Sequence, residues 1–353
     1  MKLIPSRRAF TLIELLVVIA IIALLVGILM PSLSEARKNA KLIVDSVNLK
    51  NSGIAQANYA TDFKDVGPAF SWTQYGRYPN TTGIPPSGYT SDNDAAMHQA
   101  VDILRRRSRN PGLMLQGPWT PHVLYTHLVI LDYLGTRLPE PIMISPGDRL
   151  RKIWAEDPTA ATASLSVPAI GSPANERWPY SSSYMTTPAS YTPDVADANG
   201  VQARQGPEHF NFLLPSSNAY RYGPQKRSDV AFASQKVYMH DQQMRFFGKF
   251  DAPFLWRGAK VNCLFFDSSV RVSTTGESNL GGYALASTTW ETPNFEYKPT
   301  PEVGESIWPG DPNGAFGLTG RYRWTAKQKQ GIDFGGQNPF WQRFPGRTGT
   351  APN

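Results

Sequence analysis

Residues 15–30, Leu-Leu-Val-Val-Ile-Ala-Ile-Ile-Ala-Leu-Leu-Val-Gly-Ile-Leu-Met, contain no polar side chain. Extending back to Phe10 gives 21 residues in which Thr11 and Glu14 are the only polar members. At a rise of about 1.5 Å per residue, such a helix is roughly 30 Å long, the thickness of one hydrocarbon core. Residues 10–30 are therefore expected to span a bilayer.

Glu14 is the anomaly in that span. A carboxylate there costs about 2.5–3.5 kcal/mol on insertion scales. It is tolerated when a cation meets it or when it has a function. The nearest cations, Arg7 and Arg8, lie outside the span. A cut just before Phe10 would create a free amino group within about a turn of a carboxylate at this depth, on the same or a neighbouring helix.

Ala9-Phe10-Thr11-Leu12-Ile13-Glu14, followed by the apolar run, resembles the cleavage and methylation signature of type IV prepilins and type II secretion pseudopilins. The resemblance implies cleavage between Ala9 and Phe10 by a prepilin peptidase and methylation of the new amino group. Glu14 would then pair with a neighbour's N-terminus during filament assembly. The family usually carries Gly where this chain has Ala9. The motif covers about 40 residues and says little about the rest. A signal peptide or simple anchor also fits the positive Lys2, Arg7 and Arg8 ahead of an apolar run. Against it, the run exceeds an ordinary apolar region of about 7–15 residues, and Met30-Pro31-Ser32-Leu33 is a poor cleavage site.

The chain has 353 residues, room for one large or two small domains. Its 29 Gly and 30 Pro, with 18 % charged residues, suit a loop-rich extracytoplasmic domain rather than a helical one. Net charge is +7, and removing residues 1–9 leaves +4, no argument for nucleic acid. Positive residues ahead of the span are expected to place the N-terminus in the cytoplasm and the large domain outside; the resemblance implies that the membrane is the inner one. The single cysteine, Cys263, excludes an intramolecular disulfide and zinc sites built on paired cysteines.

The expected fold class is α+β: a long N-terminal hydrophobic helix, then a loop-rich head with short helices and a small antiparallel sheet. The expected organisation is a leader at 1–9, the membrane or filament-core helix at 10–30, an amphipathic continuation at 31–66, a pseudopilin-like head at 67–344 and a loose tail at 345–353. In the continuation, Leu33, Ala36, Ala40, Ile43 and Val47 form an apolar stripe, with Glu35, Arg37, Lys38, Lys41 and Asp45 largely opposite. Gly53 weakens the helix, and Asp65 to Pro68 read as a stop. Pro31 should kink the helix or loosen the turn before it. The resemblance implies that the segment between Gly27 and Pro31 unwinds in a filament; a Pro marking the membrane edge is the plainer reading.

Within the head, helices are expected over 94–107 and 119–134, and a strand over 236–239. The segment 261–272 reads as a hairpin turning at Asp267-Ser268-Ser269. Arg105-Arg106-Arg107-Ser108-Arg109 reads as a solvated helix end, with an anionic-polymer patch as the alternative. Pro139 to Asp148 resembles the Cys-Pro-x-Asp turn of a large pseudopilin-like group, with Ser145 for Cys. Ser181 to Met185 resembles that group's Ser-Ser-Tyr strand. The same group carries a His, nine residues, then Asp-Gly; here Arg257 holds the His place, Asp267 matches, Ser268 replaces Gly, and Asn262 and Phe265 match. Because Ser enters positive φ less readily than Gly, the turn is expected to change.

No spacing points to catalysis. His122 and His127 are five apart and do not share a helix face. His240-Asp241 has no second His or carboxylate beside it in sequence, and no nucleophile elbow or phosphate loop occurs. No metal site or cofactor is expected. The Asp and Asn near 92–94 or 194–199 offer oxygen ligands for calcium but no loop pattern. The expectation is a non-enzymatic, pilin-like subunit of a type II secretion or type IV pilus-like filament. Its partners would be the prepilin peptidase, the inner membrane and copies of itself or other pseudopilins. The alternative is a membrane-anchored carbohydrate-binding or adhesin module using Trp290, Trp308, Trp324 and Trp341.

Overall fold

The computed structural model describes residues 11–71, 89–113, 120–135, 137–158, 173–192, 204–205, 212–213, 223–248, 251–286, 289–291, 294–295, 318–325 and 328–336. The fold is α+β, a long helix carrying a loop-rich head. The leader and the tail lie outside the described residues.

Helix α1 runs unbroken from Leu12 to Asp62. Its apolar half makes no buried contact with the head, and its aliphatic residues are compatible with a helix despite Gly27. Pro31 stands inside it. A proline donates no N–H to the carbonyl four residues earlier, and that residue is Gly27. α1 stops at Asp62, short of the expected 66, where Lys64 and Asp65 turn through positive φ.

Four strands form the central antiparallel sheet in the order β1-β2-β3-β4: β1 Tyr184–Thr186, β2 Val237–Asp241, β3 Lys260–Phe265 and β4 Val270–Thr274. Tyr184 pairs with Asp241, His240 with Cys263, and Asn262 with Val272. Along β3 the side chains alternate. Asn262 and Leu264 face α1, whereas Val261, Cys263 and Phe265 face a second layer with Phe254, Tyr322 and Phe334. A bulge in β2 between Val237 and Met239 lets Tyr238 and Met239 both join the α1 side. Tyr322 and Phe334 from the C-terminal region thus pack on the far face of the sheet.

Helix α2 spans Asp92–Ser108, capped by Ser91, and buries Ala96, Ala100 and Leu104 against Leu128, Leu131 and Trp324. The expected helix at 119–134 is instead a short α3, His122–Tyr125, followed by a 3-10 segment, Thr126–Tyr133, bent at Ile130. Leu128 and Leu131 of this segment pack into the cluster with Ala96, Ala100 and Leu104 of α2. Helix α4, Arg149–Glu156, is capped by Asp148.

The hairpin between β3 and β4 forms as expected, but its turn keeps the left-handed residue. Ser268 sits at φ +66° and donates its hydroxyl to the Gly53 carbonyl at 3.2 Å. That contact with α1 supports a conformation a serine alone disfavours. Gly53 is there for the same approach: a Cβ on it would stand 2.8 Å from Leu264 Cδ1 and 3.2 Å from Ser268 Cβ.

Candidate assembly site

At the membrane end, Thr11 caps α1 and forms a reciprocal box with Glu14. The Thr11 hydroxyl accepts from the Glu14 N–H at 3.2 Å, and Glu14 Oε2 accepts from the Thr11 N–H at 2.9 Å. The Thr11 hydroxyl lies 2.8 Å from the same oxygen. The box occupies the carboxylate and satisfies orphan donors of the first turn. Glu14 thereby faces back toward the chain's beginning, one residue from the nitrogen that cutting before Phe10 would free. Ala9 and Phe10 lie outside the described residues.

From Leu12 to Val44 no residue of α1 is buried. Burial begins at Asp45 and continues through Leu49, Ser52, Gly53, Ala55, Gln56 and Ala60. The head therefore takes the side of the helix opposite the apolar stripe. Leu33, Ile43 and Val47, half or more exposed, point away from the head, as do Val44 and Ile54. On a wheel of about 100° per residue, the stripe and the buried set lie about 180° apart. The head takes the polar-looking face because it supplies partners for it, and because Ser52, Gly53, Ala55 and Ala60 are small enough to let the sheet approach. The stripe stays free and continues the membrane-spanning surface.

The head grips α1 through a buried polar node centred on Asp45, which is fully buried. Asp45 accepts from the hydroxyls of Ser145 and, at 2.8 Å, Tyr184, and from Asn262 Nδ2 at 2.7 Å. Asp148 caps α4 by accepting from the Arg151 N–H at 3.0 Å. It also accepts from Arg151 Nη1 at 2.8 Å, Arg245 Nη2 at 3.1 Å and the Ser183 hydroxyl at 2.8 Å. Asp241 accepts from Arg245 Nη1 and from the Asn262 N–H, both at 3.4 Å. Burial works to raise the Asp148 pKa, but the Arg151 and Arg245 guanidiniums hold its carboxyl well below the usual range. Asp241 goes the other way: burial, then the Asp45 carboxylate beside it, raise its pKa well above that range. Burial and then Asp45 also raise the Tyr184 phenol.

Ser145, Asp148, Ser183, Tyr184 and Asn262 all come from motifs singled out in the sequence, and the fold brings them to this one node. Arg257 and Asp267 are not there. Arg257 is exposed before β3, and Asp267 is exposed in the hairpin, where it accepts from the Ser269 N–H at 2.9 Å. Sequence reasoning missed Arg245 and Arg151, named Asp241 only beside His240, and placed Asp45 opposite the apolar stripe without a role. Three carboxyls from three distant segments carry no spacing signal.

The arginine run is a paired helix end: Arg105 donates to the Leu113 carbonyl, Arg106 pairs with Asp102, and Arg107 with Asp132. Among 92–94, Asn93 accepts from Thr120 and Asp94 from Thr90; residues 194–199 lie outside the described residues. Among the described residues no three His, Cys, Asp or Glu side chains are placed to hold a metal ion. Trp324 is buried in the helical core; the side chains of Trp290, Trp308 and Trp341 lie outside the described residues.

α1 is the one helix, among the described residues, long and apolar enough to cross a membrane. Residues 4–30 match the family model for the prokaryotic N-terminal methylation motif. No curated protein and no solved structure matches the chain.

Proposed function

We propose that this chain, carrying a prokaryotic N-terminal methylation motif on a single long apolar helix, is a pilin-like structural subunit. In this reading a prepilin peptidase cuts between Ala9 and Phe10. The helix stores the subunit in the inner membrane, with the head outside, until it enters a type II secretion or type IV pilus-like filament beside copies of itself or related pseudopilins. Neither a cofactor nor catalytic chemistry enters this role.

The observation that carries the proposal is the uncovered side of α1. A helix meant only to anchor a head has no need of Leu33, Ile43, Val44, Val47 and Ile54 exposed beyond the bilayer. A helix that bundles with others uses such a stripe, since neighbours then cover what the head leaves open. Glu14 fits the same assembly, its charge met by a neighbour's new amino terminus in an apolar setting. Gly27 and Pro31 provide the weak point where the helix adjusts, because the Gly27 carbonyl has lost its usual donor.

The experiment is mass spectrometry of the mature N-terminus together with a Glu14→Val variant. A chain starting at methylated Phe10, and a variant that inserts in the membrane but does not polymerise, are the expected results. An intact Met1, or a variant that polymerises normally, overturns the reading.

A further inference from the structure

We propose that Asp45 and Asp241 hold one proton between them, and that this proton latches the head onto α1. The inference concerns how the chain's own helix is held and does not depend on the filament reading.

The argument begins with a charge count. The node contains three carboxyls, Asp45, Asp148 and Asp241, and two guanidiniums, Arg151 and Arg245, none more than 9 % exposed. Both guanidiniums converge on Asp148, and Arg245 alone reaches on to Asp241. Asp45 makes no ion pair among the described residues; its donors are two hydroxyls and an amide. With every carboxyl ionised, the node would hold one uncompensated negative charge away from water, which folding does not tolerate.

Neighbouring groups do not supply the missing charge. Lys38 and Asp251 lie at the rim, where Lys38 donates to the Gly248 carbonyl. On the opposite face of the sheet, His240 donates Nδ1–H to the Asp241 carbonyl and packs against Phe254 and Tyr322. Burial keeps that imidazole neutral, and it keeps the Cys263 thiol and Tyr322 phenol neutral as well.

One proton resolves both problems. Asp241 and Asp45 meet at one residue: Asn262 reaches Asp241 through its backbone N–H at 3.4 Å and Asp45 through its side-chain amide at 2.7 Å, so two anions would face each other there without a cation between them. Placed on Asp241, the proton removes that repulsion and brings the node to neutrality. Asp45 already accepts from three donors, whereas Asp241 has only two contacts, both at 3.4 Å, so the proton belongs on Asp241. When the proton leaves, the charge is relieved by opening the junction to water, which frees Asp45 to Gln56 of α1 from β3.

The linkage sign follows. The closed junction binds the proton, and the open one, with an ordinary aspartic acid, does not above about pH 4. Raising the pH therefore favours opening, about tenfold per unit until Asp241 ionises in the closed form.

The test uses the full chain in detergent micelles. Amide hydrogen exchange is followed over Asp45 to Gln56 from pH 5 to pH 9 in the wild type and in Asp241→Asn, whose neutral amide replaces the protonated acid. The expected result is an opening constant that rises about tenfold per pH unit in the wild type relative to the variant. Parallel profiles overturn the latch. Should Asp241→Asn fail to fold, infrared spectra of the wild type decide. A protonated-carboxyl band at neutral pH that disappears together with protection upholds it. A band that is missing, or that outlasts the loss of protection, overturns it.

Discussion

Asn262 in the middle of β3 donates to Oδ2 of Asp45 in the middle of α1 across 2.7 Å, and its own Oδ1 accepts from the Ser46 hydroxyl at 3.1 Å. One amide thus reads two successive residues of the helix and fixes both its rotation and its height against the sheet. With the helix held this way, the Leu33–Ile54 stripe faces outward.

Removing the carboxylate leaves Tyr184, Ser145 and Asn262 with unmet donors in a dry junction. Asp45→Ala is expected to cost about 3 kcal/mol or more, in the range for breaking a buried polar network. Asp45→Asn, keeping the shape, should cost less. Denaturant unfolding of the full chain in detergent, read by fluorescence of the buried Trp154 and Trp324, gives the comparison.

The two sides of α1 should respond oppositely to substitution. Ile43→Lys and Val47→Lys change stability by less than about 0.5 kcal/mol, since both side chains are exposed, but block filament formation. Leu49→Ala, in the core with Met239 and Leu264, costs about 2–5 kcal/mol. Unfolding curves set beside an assembly assay separate them, and a fully assembling Ile43→Lys, Val47→Lys double variant would count against the stripe as an assembly surface.

Gly53→Ala runs against helix propensity. Ala is better in a helix by about 1 kcal/mol. Here, however, the new methyl meets Leu264 and Ser268 below normal contact distance, and overpacking costs about 1–3 kcal/mol. The variant should be less stable than the wild type, visible as a lower unfolding midpoint.

Acid should weaken the head before its carboxylates titrate. Burial depresses His127 and His240 to about 3. Between that value and the ordinary 6.5, the unfolded chain binds protons the folded one refuses. The histidine contribution is therefore full above about pH 6.5 and is lost as pH drops, by up to about 1.4 kcal/mol per unit for each of the two, outweighing the opposite term from the single Asp241 proton. Asp148, held low in the fold, adds its own loss only below about pH 4. Midpoints measured between pH 7 and pH 5 should slope less in His127→Asn.

The sequence showed what is locally encoded. An unbroken apolar run allows only a helix, the apolar segments flanking Asp267-Ser268-Ser269 allow a hairpin, and the apolar spacing over 94–107 marks α2. It misjudged 119–134, where packing against α2 overrode an apolar pattern, and Ser268, whose strained φ is supported by a contact with Gly53 that lies 215 positions away.

By itself the chain determined the membrane span, the processing motif, the lone acid at Glu14 and the α+β class, all set by neighbours in sequence. Only the tertiary structure decided which side of α1 the head takes. A wheel diagram assigns apolar residues to the interior, yet the interior here offered Tyr184, Ser145 and Asn262 to a carboxylate and left the aliphatic side bare. A buried charge is acceptable where its donors converge, and convergence from distant segments is a property of the fold.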